Sequence, residues 1–216
     1  MGVKYIVCNL NSYNFNMTDW EARYQLGDMP WEKGTAAPPL LELLGKMERA
    51  LWGDGAVLVP GCGYGHDVRA LSDAGLQVRG VDLSPTAVAR AEAFEPAGNE
   101  TYQLGNFLDP DWQSEVEISS IWEHTCLCAI DPSHRPAYAA AAARILSPGG
   151  ILAGVFFLNP FDPGEARDGP PFGATLEELD YLFSPWFEKV DGWMPQQAYP
   201  GREGREWIGI FRRKTV

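Results

Sequence analysis

The stretch Val57-Leu58-Val59-Pro60-Gly61-Cys62-Gly63-Tyr64-Gly65-His66-Asp67 decides the fold of this chain. Its apolar first part predicts a buried strand, and its glycines predict a tight turn into a helix, because glycine adopts backbone conformations that other residues avoid. A second apolar run ends at Asp82, twenty-one residues after Gly61. A strand, a glycine turn, a helix and an acidic end to the next strand predict a nucleoside-binding half-site, in which the carboxylate accepts hydrogen bonds from ribose hydroxyls.

Strands and helices alternate along the rest of the sequence. Strands are predicted at 56–60, 77–82, 101–104, 116–122, 151–158, 187–193 and 206–213, and helices at 65–74, 84–94, 136–146 and 175–183. This alternation predicts an α/β protein with a three-layer Rossmann-like fold, whose seven-stranded sheet is mostly parallel with an antiparallel last strand. A helical segment in two pieces, broken near residues 27–30 and resuming over 38–51, precedes the first strand.

The length of 216 residues predicts one domain. Residues 1–18 are polar, rich in asparagine and without clear periodicity, so we interpret them as a loosely ordered N-terminal extension. Residues 19–216 are expected to form a single domain, in which residues 19–52 make a helical cap over the ligand.

Composition excludes several classes of function. A net charge of −12 argues against a nucleic-acid partner, and Lys and Arg cluster only at 212–214. No apolar run approaches the roughly 18 residues that a membrane span needs, and the N-terminus lacks the pattern of a signal peptide. The four cysteines have neither disulfide-framework nor metal-site spacing. We therefore expect a cytoplasmic, monomeric protein without a metal.

The spacing of the glycines indicates which nucleoside cofactor binds. A dinucleotide site has the pattern Gly-x-Gly-x-x-Gly, but here the third glycine comes one residue early, at Gly65, and His66 takes the last position. This spacing favours S-adenosylmethionine, which needs no phosphate cradle at the helix N-terminus. Asn106, after the third predicted strand, supports the prediction because ligands of open α/β sheets bind at the carboxyl ends of strands. A tight turn without a ligand remains the alternative.

Further segments resemble one family of enzymes. The chain is similar to the class I S-adenosylmethionine-dependent methyltransferases, and within them to the thiopurine S-methyltransferase-like family, which includes thiol, halide and thiocyanate methyltransferases. The matching segments are 20–24, 27–34, 58–67, 128–130, 135–138, 169–172 and 201–206. The N-terminal Trp motif and the Gly-Pro-Pro loop discriminate best, because most class I methyltransferases lack them.

The resemblance implies a set of cofactor contacts. The glycine turn would approach the amino-acid part of the cofactor, Asp82 would hold the ribose, and Asn106, where the family often has Asp, would face the adenine. Trp20 and Trp31 would close over the methionine end, where an indole face attracts a sulfonium cation; the alternative for either Trp is an anchor in the core. The implied contacts are Trp20, Trp31, Gly61, Cys62, Gly63, Gly65, Asp82, Leu83, Asn106, Phe107 and Glu123.

The resemblance also places substrate-contacting groups after the fourth strand. The predicted catalytic residues are Thr125, Cys126 and Arg135, and Arg23 is a second candidate for attracting an anion. Both arginines could instead form ordinary salt bridges. We interpret Glu123 as a solvated carboxylate, His124 as a strand-end hydrogen bond, and Cys126 and Cys128 as buried residues on opposite sides of a strand end. The predicted pocket walls and lid are Phe156, Phe157, Phe161, Phe172 and Trp186, with residues 159–173 as a long loop.

The hypothesis that follows is methyl transfer from S-adenosylmethionine to a small sulfur nucleophile or inorganic anion, such as a thiol, bisulfide, thiocyanate or halide. These soft nucleophiles need no strong base, so the enzyme has to align the reactants and exclude water. Three alternatives remain open: an O-methyltransferase of a small molecule, a nicotinamide-dependent oxidoreductase, and a cofactor-binding protein without catalysis.

Overall fold

A computed structural model describes residues 18–162, 164–165 and 168–215. The predicted N-terminal extension therefore lies outside the described residues, apart from Thr18. The helices are α1 (Trp20–Leu26), α2 (Pro38–Lys46), α3 (His66–Asp73), α4 (Pro85–Glu92), α5 (Arg135–Ile145) and α6 (Leu176–Phe183). The strands are β1 (Ala56–Pro60), β2 (Gln77–Asp82), β3 (Asn99–Leu104), β4 (Ile118–His124), β5 (Leu146–Phe157), β6 (Phe187–Trp193) and β7 (Glu206–Arg213). Short 3₁₀ helices lie at Arg49–Trp52, Leu127–Ala129 and Pro132–His134.

The seven strands form one sheet in the order β3-β2-β1-β4-β5-β7-β6. The pairs among β1 to β5 are parallel, whereas β7 runs antiparallel to both of its neighbours. The predicted fold class, including the antiparallel last strand, is confirmed.

Helices cover both faces of this sheet, and the side chains of β1 show why. Val57 and Val59 are buried in one apolar core and Leu58 is buried in a second core on the other face. The first core also contains Leu40, Leu43, Val68, Leu71 and Trp122; the second contains Tyr138, Leu179, Phe183 and Phe211. A central parallel strand buried on both faces has a continuous apolar run, which is the pattern of the sequence at 56–60.

Two element boundaries differ from those predicted by more than two residues. The helix predicted over 38–51 ends at Lys46, because Met47 is extended, and a 3₁₀ turn completes the segment. Strand β5 begins at Leu146 rather than at residue 151, because Leu146 pairs with Ile118 before a bulge shifts the register. The Ser-Pro-Gly-Gly stretch that ends α5 therefore lies inside a bulged strand.

The topology brings three chain segments to one edge of the sheet. The carboxyl ends of β2, β1 and β4 are adjacent, so Asp82, the glycine turn and Thr125 meet there. Ligands of doubly wound sheets bind at this edge. Among the residues that the structure describes, no helix is long and apolar enough to span a membrane.

Candidate active site

The glycine turn after β1 depends on the absence of side chains. Gly61, Gly63 and Gly65 have φ angles of 62°, 53° and 73°, which L-residues rarely adopt. A Cβ atom on Gly61 would lie 3.1 Å from the Cβ and Sγ atoms of Cys126, and one on Gly63 would lie 3.0 Å from the hydroxyl of Tyr24. The backbone of the turn can therefore lie close to both the end of β4 and the N-terminal cap.

Asp82 lies at the end of β2, where the ribose contact is predicted. Its two carboxylate oxygens accept hydrogen bonds from the backbone N–H groups of Gly63 and Ser84, each at 2.9 Å. Burial raises the pKa of this carboxyl, and the backbone donors oppose that shift. A carboxylate has about four acceptor positions, so lone pairs remain for hydroxyl donors. Leu83, the adjacent residue, is exposed.

The two residues predicted to face adenine differ in their surroundings. Asn106 is exposed, and its side-chain oxygen accepts a hydrogen bond from the N–H of Leu108 at 3.0 Å. Phe107 is buried in the core, with its ring centroid 5.1 Å from that of Tyr138. Asn106 therefore has the surface for an adenine contact, whereas the ring of Phe107 is turned away from it. Both contacts stay predictions.

Trp20 and Trp31 meet in the N-terminal cap. Their ring centroids are 5.2 Å apart in an edge-to-face arrangement, and the indole N–H of Trp31 donates to the Tyr24 hydroxyl at 3.3 Å. The guanidinium of Arg23 lies over Trp31 at 4.4 Å and also pairs with Asp28 at 3.0 Å. The cation on the indole face is thus Arg23. A contact between the tryptophans and a sulfonium stays a prediction.

Asp67 is a functional candidate that the sequence analysis missed. One of its oxygens accepts from the backbone of Ala37 at 2.7 Å, and the other accepts from Trp122 Nε1 and from His124 Nδ1, both at 2.8 Å. Burial acts to raise the pKa of Asp67, but the charge that His124 carries when protonated and the donated hydrogen bonds outweigh burial and lower it. This buried carboxylate links the helix after the glycine turn to the cap and to β4. The sequence signal that could have pointed to Asp67 was its position in the first turn of that helix, directly after the glycine turn.

Glu123 is not the solvated carboxylate that we expected. It is 1% exposed, because α5 covers this face of β4. Its oxygens accept from the backbone of Leu127 at 2.8 Å and from the Tyr138 hydroxyl at 2.5 Å, and burial raises its pKa. Both oxygens are directed at protein donors on the α5 side, so the cofactor contact proposed for Glu123 stays a prediction.

The chain turns sharply after β4. Thr125 has a φ of 63°, an uncommon conformation for a β-branched residue, and its hydroxyl donates to the carbonyl of His124 at 2.7 Å. The interpretation of Cys126 and Cys128 as strand residues is wrong, since β4 ends at His124 and a 3₁₀ helix follows. Their predicted burial holds only in part, since both residues are half-buried; the enclosure of the sulfur atoms raises the pKa of both thiols, that of Cys128 to about 12. Both are therefore neutral thiols at pH 7.

A small cavity of about 10 Å³, here called the Arg135 cavity, lies beside this turn. It is lined by Glu123, Thr125, Leu127, Cys128, Arg135, Val155, Phe156, Phe157, Phe172 and Ala174. The terminal nitrogens of Arg135 donate to the carbonyls of Phe172 and Gly173 at 3.0–3.1 Å, and Arg135 is 6% exposed. Its Nε atom is buried and has no hydrogen-bond partner among the described residues. The predicted residues Thr125 and Arg135 are thus brought together, while Cys126 lies against Gly61 instead.

The predicted aromatic walls divide into two groups. Phe156, Phe157 and Phe172 line the Arg135 cavity, and Phe161 is half-buried in the following loop. The assignment of Trp186 is wrong: it is exposed and precedes β6, whose first residue is level with the start of β5, at the opposite edge of the sheet.

Arg202 was missed as a site residue, although it lies in one of the matching segments. Its guanidinium lies 4.7 Å from the ring centroid of Phe157 and 5.4 Å from that of Tyr199, and it pairs with Glu206 at 3.1 Å. Only the three-dimensional structure brings this loop to the wall of the cavity.

Comparisons with known proteins agree with this geometry. Residues 15–192 match the family described as Thiopurine S-methyltransferase (TPMT). A protein named probable thiol methyltransferase 2, from Arabidopsis thaliana, is 32% identical over 91% of this chain and 85% of its own length. Thiocyanate methyltransferase 1 from the same plant is 30% identical over 90% and 84%.

A solved structure supports the fold. A SAM-dependent methyltransferase from Anabaena variabilis superposes with a TM-score of 0.71 at 16% identity, over 90% of this chain and 93% of that one. The match of the family to most of the chain, and the similarity of curated relatives along nearly all of it, lead to one assignment. The chain belongs to the thiopurine S-methyltransferase family and is a SAM-dependent methyltransferase.

Proposed function

We propose that this enzyme transfers the methyl group of S-adenosylmethionine to a small sulfur nucleophile or inorganic anion, and that the acceptor binds at the Arg135 cavity. The observation that carries the proposal is the composition of that cavity: aromatic walls, one buried guanidinium whose Nε has no partner among the described residues, and Thr125, whose neighbour Cys126 lies against the glycine turn. The names of the relatives, thiol and thiocyanate methyltransferase, support the same acceptor class.

The residues at the sheet edge fit the cofactor. The glycine turn presents backbone without side chains at this edge, where Cβ atoms would crowd Cys126 and the Tyr24 hydroxyl, and Asp82 retains acceptor capacity at the end of β2. The turn would hold the amino-acid part, Asp82 the ribose and Asn106 the adenine. When bound there, S-adenosylmethionine supplies an electrophilic methyl group on a sulfonium.

Arg135 would bind the acceptor and, at the same time, the loop residues Phe172 and Gly173 beside the cavity. Two of its nitrogens already bind the carbonyls of Phe172 and Gly173, which leaves Nε as the donor to an anion. Phe157 and Phe172 would exclude water, which favours a reaction in which an anion and a cation neutralise each other.

The cavity also limits which nucleophile can react. Its volume of about 10 Å³ is close to the roughly 10–15 Å³ that one water molecule needs. A cavity of this size would admit only the reactive atom of the acceptor, and the rest of a larger acceptor would lie outside it. Cys128 does not compete with it, because burial raises the pKa of this thiol to about 12 and keeps it protonated.

The proposal is tested with a panel of acceptors and a pair of variants on the same helix. Purified protein and labelled S-adenosylmethionine are incubated with iodide, thiocyanate, bisulfide and small thiols. Arg135→Lys removes the Nε donor and the paired lid contacts, so kcat/KM for anions should fall by about 10- to 100-fold, the value of one or two charged hydrogen bonds.

Arg144→Lys is the matched control. Arg144 lies on α5 as well and donates to the carbonyls of Trp112 and Asp109, away from the cavity. We expect it to leave kcat/KM unchanged. No methylated product from any acceptor with the unmodified protein, or equal losses in the two variants, would refute the proposal.

A further inference from the structure

His124 and Asp67 form a buried pair whose proton positions follow from chemistry. The indole of Trp122 can only donate, and it shares one oxygen of Asp67 with His124 Nδ1. An ionised carboxylate can only accept, so Nδ1 of His124 carries the hydrogen. In the neutral imidazole the lone pair is therefore on Nε2.

That Nε2 atom is buried and has no hydrogen-bond partner within residues 18–162, 164–165 and 168–215. The imidazole stacks on Tyr199, with centroids 6.2 Å apart at 24°, and the Tyr199 hydroxyl donates elsewhere, to the carbonyl of Thr35 at 2.6 Å. Buried polar atoms are nearly always paired, so one without a protein partner is explained by a catalytic role, a ligand or an ordered water.

His124 is also the last residue of β4, at the ligand-binding edge. Val155, its register partner on β5, lines the Arg135 cavity and lies on the same face of the sheet, and Cys126 lies against Gly61 of the glycine turn. The strand end that carries His124 thus contacts both the predicted methyl donor site and the predicted acceptor site. The left-handed conformation of Thr125 fixes the point where the strand ends.

From this geometry we infer that His124 is the general base for acceptors that carry a proton, with Asp67 orienting its ring. The inference rests on the proposed function. The S–H bond of a neutral thiol breaks and its proton moves to Nε2. The sulfur electron pair forms the new S–CH₃ bond, and the electrons of the old methyl–sulfur bond stay on the sulfur of the cofactor. The imidazolium then loses its proton to solvent.

The charges around His124 suit this role. Asp67 faces it from α3 and stabilises the imidazolium, while Tyr199 from the loop before β7 covers the ring. Glu123, the preceding residue, points to the other face of the sheet, and the guanidinium of Arg202 lies 5.4 Å from the centroid of the Tyr199 ring that stacks on the imidazole. An orienting carboxylate behind a histidine with a free Nε2 is the arrangement that activates nucleophiles in hydrolases.

The test compares two acceptors in one variant, since iodide carries no proton and a small thiol does. In His124→Gln, kcat/KM for the thiol at pH 7 should fall by about 100-fold or more, the usual contribution of a general base. The rate with iodide should stay within about threefold. The loss should shrink as pH rises, because free thiols ionise at about pH 8.5.

Parallel losses for thiol and iodide would overturn the inference and leave His124 a structural residue. An unchanged thiol rate would overturn it as well. Should His124→Gln not fold, the unmodified enzyme provides the same test: between pH 8 and 6 its thiol rate must fall less steeply than the tenfold per pH unit of the free thiolate. If the unmodified enzyme methylates iodide but no thiol, the role of His124 as a general base is refuted. If it methylates neither, the proposed function itself is refuted.

Discussion

Gly65 and Gly27 share a left-handed backbone conformation but differ in the space around them. Their φ angles are 73° and 72°. A Cβ atom on Gly65 would lie 2.5 Å from the hydroxyl oxygen of Tyr102, whereas one on Gly27 would meet no atom within 4 Å. The two positions therefore separate the cost of the backbone conformation from the cost of crowding.

We expect Gly27→Ala to lower the free energy of unfolding by about 1 kcal/mol, the cost of a left-handed alanine. Gly65→Ala should lower it by about 2–4 kcal/mol, because crowding adds to the same conformational cost. The Tyr102 ring must move, and it then loses the hydrogen bond that it accepts from Arg69. Urea unfolding of both variants measures the difference. Equal decreases in the free energy of unfolding would show that a Cβ atom at position 65 causes no crowding.

Residues of the site differ in how far their roles can be predicted from sequence. The position of Asp82 beside the glycine turn was predictable because both lie on a local strand–turn–helix unit with a known spacing, whereas its contact with the ribose stays a prediction. Asp67 was not, because its partners at Ala37, Trp122 and His124 lie 30 to 57 residues away and only the folded sheet brings them together. The Arg135 cavity was predictable in part, since Phe157 and Phe172 were named but Arg202 was not.

At the scale of elements, helix α1 is attached to the N-terminus of α4 by one carboxylate. Glu21 accepts hydrogen bonds from the Ser84 hydroxyl at 2.5 Å and from the Thr86 hydroxyl and backbone at 2.6 and 3.1 Å. The hydroxyls of Ser84 and Thr86 lower the pKa of Glu21 to about 2. Because the folded pKa is depressed, the attachment is complete above the ordinary glutamate pKa near 4.3 and is lost as pH falls toward about 2.

Glu21→Gln should weaken this attachment and with it the cap over the glycine turn. We expect a several-fold higher Kd for S-adenosylhomocysteine, by isothermal titration at pH 7, with a smaller effect on kcat. Glu48→Gln is the control, since Glu48 is an exposed side chain in the same N-terminal segment. An unchanged Kd in Glu21→Gln would mean that α1 does not contribute to cofactor binding.

Local sequence signals predicted the helices and strands well, and the 3₁₀ helix that they missed depends on the backbone conformation of one residue. The start of α6 was predicted at residue 175, and a capping box of Thr175 and Glu178 is present there. The 3₁₀ helix after β4 was not predicted, because its start depends on the positive φ of Thr125, which no residue preference indicates.

At the scale of the whole molecule, two buried carboxylates on opposite faces of the sheet have opposite pKa shifts. Asp67 accepts three hydrogen bonds, one from a histidine, and its pKa is lowered. Glu123 is buried more completely and accepts from a tyrosine and a backbone N–H, and its pKa is raised. One donor to Asp67, His124, can carry a positive charge, whereas both donors to Glu123 are neutral. This difference explains why the two pKa values shift in opposite directions.

Tyr138→Phe should therefore destabilise the protein in a pH-dependent way. The variant removes a donor to the ionised form of Glu123 and raises its folded pKa further. A raised folded pKa favours folding at low pH and loses that contribution as pH rises. We expect a loss of about 1–3 kcal/mol at pH 8 and a smaller one at pH 5.5, measured by urea unfolding. Tyr181→Phe, at an exposed position on α6, should have no such effect at either pH. A loss independent of pH would show that Glu123 does not titrate in this range.

Because β7 lies between β5 and β6, the sheet cannot be completed in the order in which its strands are synthesised. Strand β6 is made before β7, yet it joins the sheet only through β7, which lies between it and β5. During synthesis, neither the free edge of β5 nor any part of β6 can pair within the sheet until β7 has left the ribosome. A chain that stopped at residue 205 would lose two strands rather than one and would present the unpaired edge of β5 to other chains, which is a site of aggregation.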